Sequence, residues 1–189
     1  MMKKICLALI VASAMTACNN EAKDPVEKAD STNEVKQDST PQAIRTDEET
    51  TDFLVKAANG GMAEVSAGKL AEGKATSADV KRFAGMMVND HTGANSQVMA
   101  LAAARSVTLP AAVSEENQKD ADDLAKKTGK DFDKEYMDMQ VDAHKETINL
   151  FEKAYDNSKD AEVKTFISNT LPKLKQHLDS AQAIQKMIK

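Results

Sequence analysis

The sequence predicts an all-α fold, with four long helices in up-down-up-down order and a short extra helix before the third. Three observations predict it. Alanine, lysine, glutamate and leucine, all strong helix formers, dominate the chain. Beyond residue 45, apolar residues recur at alternating three- and four-residue steps, the spacing of one helix face. No run alternates β-branched and polar residues as a half-buried strand would.

The first long helix opens at Thr46. There the string TDEE reads as a capping box, with Thr46 as N-cap, Glu49 reaching back to it, and acidic residues suited to a first turn. This helix extends to about Gly73. The second starts after Thr76 and Ser77 and ends before Leu109 and Pro110, because the residue preceding a proline is driven out of the helical region. A short helix follows Ser114 and stops near Gly129. The third long helix spans about Asp131 to Asp156. Ser158 or Asp160 caps the fourth, which runs nearly to the C-terminus.

The inward seams carry an unusual content. On the second long helix the seam reads Val80, Ala84, Met87, His91, Ala94, Val98, Leu101. On the third it reads Met137, Val141, His144, Ile148, Phe151, Tyr155, and on the fourth Val163, Ile167, Thr170, Leu174, His177, Ala181, Ile184, Ile188. All three histidines of the chain therefore lie on seams, one per helix. The first helix has Phe53 or Leu54, Ala57, Gly61, Glu64 and Gly68, so Glu64 takes the corresponding place. Gly60, Gly61, Gly68 and Gly73 all fall within that helix, each costing roughly 1 kcal/mol relative to alanine. Close helix–helix approach or room for a ligand would offset the cost.

Short connections make sequential helices antiparallel. Counting from the turns near Ala75 and Ser158 brings Glu64 level with His91, and His144 level with His177, to within roughly 7 Å along the axis at 1.5 Å per residue. Helical side chains lean toward their own N-terminus, which closes part of that gap. Buried imidazoles and a buried carboxylate require partners, and two arrangements supply them. In one, Glu64, His91, His144 and His177 bind a single transition-metal ion such as zinc, iron or copper. In the other, Glu64 pairs with a protonated histidine and the remaining rings bond to Asn95, Gln140 or water. The glycine-rich helix face also fits a small-ligand binder. Met87 and Met137 near the histidines read as core filling. Pro172, inside the fourth helix, fits that helix to the bundle's curvature.

Several functions are excluded. The modestly acidic chain lacks a basic face interleaved with aromatics, so nucleic-acid binding is not expected. No serine sits in a G-x-S-x-G string and no glycine-rich phosphate loop is present. Asp120, Asp122 and Asp123 read as a solvated helix face. No catalytic residue is assigned, and a non-enzymatic role is expected; no protein partner can be read from the chain.

The N-terminus opens with MMKK, an apolar run of about a dozen residues, and small residues before a cysteine. A run so short fits the core of a signal peptide and falls well below the roughly twenty residues of a spanning helix. Met15-Thr16-Ala17-Cys18 resembles the lipobox of bacterial lipoproteins, with methionine where leucine is usual. That resemblance implies export, lipidation of Cys18, and attachment to a membrane at the periplasmic face or the outer membrane. The rival reading is a plain secretory signal. Cys6 and Cys18 are the only cysteines, so a processed chain has no disulfide to stabilise it. Residues 1–17 are thus read as a signal peptide and 18–45 as a disordered tether, because the latter stretch has few apolar residues to offset its ordering entropy. Residues 46–189 form the helical domain.

The strings TDFLVKAANGGMAEVSAGKLAEGKA, VKRFAGMMVNDHTGAN, FDKEYMDMQVDAHKETINLFEKA and LPKLKQHLDSAQ resemble the exported bacterial family known as domain of unknown function 4142. The resemblance spans about residues 47 to 188. It implies a ferritin-like four-helix bundle and supplies no reaction. Di-iron members of the ferritin-like group carry Glu-x-x-His on two helices. Here Val88, Val141 and Leu174 stand three residues before the histidines, so iron storage and ferroxidase chemistry are disfavoured.

Overall fold

The computed structural model describes residues 24–41 and 46–188. The signal segment 1–17 and Cys18 lie outside the described residues. Among the latter are six helices and no strand: α1 (Pro25–Ser39), α2 (Glu48–Lys74), α3 (Ala78–Ala104), α4 (Glu115–Ala125), α5 (Gly129–Asn157) and α6 (Ala161–Met187). Side-chain oxygens set most of the starts. Ser77 caps α3, Ser114 caps α4, and Asp160 accepts from the N–H groups of Glu162 and Val163 to open α6. At α2 the cap is Asp47, which accepts from Thr50 N–H at 2.9 Å, and not Thr46. The Thr46 hydroxyl instead donates to the Arg105 carbonyl, and the carboxylate one residue later caps the helix. α5 starts at Gly129, earlier than expected, where φ of +60° suits a residue without Cβ.

The four long helices form a helical bundle in which α2 packs against α3 and α5, and α6 packs against α5 and α3. Their directions correct the expected up-down-up-down order. One apolar cluster joins the start of α2 (Phe53, Leu54), the end of α3 (Val98, Ala102), the end of α5 (Ile148, Phe151) and the start of α6 (Val163, Ile167). A second joins the end of α2 (Ala71), the start of α3 (Val80, Phe83), the start of α5 (Phe132, Tyr136) and the end of α6 (Ala181). α3 and α5 are therefore parallel, and the order is up-down-down-up. The turn from α2 to α3 confirms this, since the backbone N–H groups of Thr76 and Ser77 both donate to Asp133 near the start of α5. The cause is residues 105–128. They return along the bundle, with α4 lying against α2 and α5 on the way. Two antiparallel hairpins are thus joined by one long crossover.

A second correction concerns the tether. Residues 25–39 form α1, which packs on α2. Asp24 caps it and Pro25 occupies its first turn, where the missing N–H is no loss. Its docking is mostly polar. Buried Asn33 donates to the Thr108 carbonyl at 2.9 Å and accepts from the Thr108 N–H at 2.7 Å, and Lys36 reaches the Ser106 carbonyl and the Thr108 hydroxyl. Counting apolar residues misses a segment held by side-chain hydrogen bonds. A third correction is smaller. Tyr155, placed on the seam of α5, is 42 % exposed, with Lys164 over its ring.

Candidate metal centre

Between the two apolar clusters lies a polar waist. Its residues are the ones that seam spacing singled out: Glu64, His91, His144 and His177 are all buried, as is Gln140. The three imidazoles converge. Ring centroids are 5.6 Å apart for His91 and His144, 5.6 Å for His91 and His177, and 5.4 Å for His144 and His177. One ring nitrogen from each lies within 4.8 Å of the other two.

What holds each ring determines what its nitrogens can do. On α5, His144 sits one turn after Gln140, and its Nδ1–H donates to the Gln140 carbonyl at 2.9 Å. Its Nε2 then carries the lone pair. On α6, Nε2–H of His177 donates to Oδ2 of Asp90 at 3.0 Å, which leaves the lone pair on Nδ1. Asp90 is itself held by Lys173 at 3.1 Å. The free nitrogens, Nε2 of His144 and Nδ1 of His177, are buried without a protein hydrogen-bond partner, as is Nε2 of His91. The Tyr136 hydroxyl and Gln140 Oε1, one turn apart on α5, share that condition.

Electrostatics keep the His91 and His177 rings in the metal-binding state. Burial holds His91 down to about 3, and the neighbouring His144 and His177 rings add to the effect. Burial also lowers His177, against the opposing hydrogen bond to Asp90. At neutral pH both are therefore neutral imidazoles, the form that ligates metals. Burial tends to raise Asp90, but the hydrogen bonds from His177 and Lys173 prevail and hold it below the usual carboxylate range.

Glu64 belongs to the waist and stands on the Nδ1 side of His144. Its Oε2 accepts from Gln140 Nε2 at 2.6 Å, and its Oε1 lies 3.6 Å from Nδ1 of His144, the nitrogen already bound to a carbonyl. Burial raises its pKa, with His144 and Gln140 opposing. The three-histidine group closes without it. Asp90 was not among the expected site residues. Adjacent to His91, it is rotated about 100° from the seam, and only the position of α6 shows that it meets His177.

Three buried imidazoles with one ring nitrogen each within 4.8 Å of the others, two of them oriented by a carboxylate or a carbonyl on one nitrogen, resemble how proteins prepare histidine for zinc, iron or copper. A family model described as Domain of unknown function (DUF4142) matches residues 34–184 of the chain. No curated protein and no solved structure matches it.

Proposed function

The chain belongs to the family described as Domain of unknown function (DUF4142), and from that footing we propose that it binds one transition-metal ion through His91, His144 and His177. One observation carries the reading: three buried histidines bring one ring nitrogen each within 4.8 Å of the other two, and each also has a buried ring nitrogen without a protein hydrogen-bond partner. Each such group costs about 1–3 kcal/mol when left unpaired, and one ion would satisfy all three. In a satisfied polar network these nitrogens would be bonded to neighbours. Asp90 supplies negative charge beside the site, and Asp90 and the Gln140 carbonyl orient two of the rings.

The setting completes the proposal. Two antiparallel pairs joined by one long crossover is the connectivity of ferritin-like bundles, which supports that superfamily for this domain. The chain is further proposed to be exported and held at a membrane through a lipid on Cys18, to serve metal handling or stress defence in the cell envelope. With Cys18→Ala, the protein should move from the membrane to the soluble fraction; retention on membranes would rule the anchor out.

The decisive measurement is elemental analysis of protein carrying no affinity tag, loaded with zinc, iron or copper and dialysed. We expect one ion per chain in the wild type and its loss in the His91→Ala, His144→Ala double variant. Less than stoichiometric metal in both proteins would overturn the reading.

A further inference from the structure

A cavity of about 50 Å³ runs into the bundle beside the histidine cluster. Exposed Lys56 and Lys173 stand at its outer end, and His91 and His177 at its inner end. Between them its walls are mostly apolar, including Ala57, Ala94, Val98, Phe151 and Leu174. A water occupies roughly 10–15 Å³ on this measure, so the space takes a ligand of at most roughly three to five heavy atoms.

Resting on the metal site proposed above, we propose that this cavity is an access channel through which a small, neutral ligand of the dioxygen or nitric oxide class reaches an open position on the bound ion. Three protein donors leave a four-coordinate ion one position short, as in catalytic sites and unlike closed structural ones. The cavity reaches two of the three histidines, so that position has a route to solvent. The apolar stretch of wall and the Asp90 carboxylate beside His177 favour an uncharged ligand over an anion. The bundle's small residues keep the route open. Gly60 lines the channel, and a Cβ there would meet nothing within 4 Å, so this glycine is not required for packing. At the next residue the Asn95 side chain packs so closely that a Cβ on Gly61 would overlap it. The two glycines thus do different work: one admits Asn95, the other leaves the passage clear.

Gly60→Leu is the test, because it adds bulk to the channel at a site free of neighbours and replaces glycine by a better helix former. Gly93→Leu is the control, since a Cβ there also meets nothing within 4 Å but the residue is exposed on α3 and lies off the channel. Each full-length protein is loaded with iron(II), its iron content measured, and nitric oxide added while the iron–nitrosyl signal is followed by electron paramagnetic resonance. The expected result is equal iron in all three proteins, with the nitrosyl signal formed in wild type and Gly93→Leu and lost in Gly60→Leu. A loaded wild type without a nitrosyl signal, or equal signals in wild type and Gly60→Leu, overturns the channel while leaving the metal site standing. Failure of iron, zinc and copper alike to load overturns the site beneath it, and the elemental analysis shows that first.

Discussion

Asp90 shows how one side chain decides the chemistry of another. His177 has two ring nitrogens, and Nε2–H donates to the Asp90 carboxylate at 3.0 Å, so Nδ1 is left as a buried acceptor. Replacing Asp90 by asparagine keeps the size but removes the charge that favours this tautomer. Partners of this kind are worth roughly 10–100-fold in metal affinity. Asp90→Asn should weaken binding by about that factor in a competition titration against a chromophoric chelator, with the metal-free protein melting close to wild type. Unchanged affinity would show that Asp90 serves only Lys173. The glycines repay the same residue-level reading. At Gly68 a Cβ would come within 2.8 Å of the Val88 side chain and 3.2 Å of the Ala84 carbonyl, so this glycine lets α2 approach α3. At Gly73 a Cβ meets nothing, and no packing reason for that glycine is visible.

At the scale of elements, α1 and the crossover are where reading the sequence failed, and for related reasons. The seams of the long helices were legible because burial of apolar residues repeats every turn, and His91, His144, His177 and Glu64 interrupt that repeat in one layer. α1 has no such repeat: Ala29 and Asn33 are its only buried residues. Its position rests on Asn33 reading the backbone of Thr108, a contact between distant parts of the chain that no local pattern announces. Helix direction was illegible for a similar reason. Local spacing fixes which face of a helix is inward, whereas whether residues 105–128 turn back or cross the bundle depends on where α4 docks. Asn33→Ala should remove both hydrogen bonds to Thr108 and release α1. Backbone amides of residues 25–39 should then exchange faster, reflecting about 1–2 kcal/mol less local protection, while α2 to α6 keep theirs. Unchanged exchange in α1 would mean that the Lys36 contacts suffice.

For the whole molecule, the polar waist is a liability unless something fills it. The apolar clusters above and below stabilise the bundle, while the layer between them buries three ring nitrogens that nothing in the protein satisfies. His91 is the informative member. Its neighbours in the layer are the other two rings, whereas Glu64 is occupied by Gln140 and approaches His144, so removing His91 strands no carboxylate. Replacing it by leucine exchanges an unpaired polar atom for apolar volume beside the cavity. The metal-free protein should gain about 1–3 kcal/mol in chemical denaturation from His91→Leu, because the desolvation cost of that nitrogen disappears. The metal-loaded comparison should run the other way. An ion bound at a hundred times its Kd stabilises the wild type by about 2.7 kcal/mol, and the variant, short of a ligand, should lose most of that gain. The two effects have opposite signs in the two states, so a substitution that merely damaged packing could not imitate them. A His91→Leu protein less stable than wild type without metal would mean that the waist is satisfied as it stands, and that these histidines hold the bundle together without an ion.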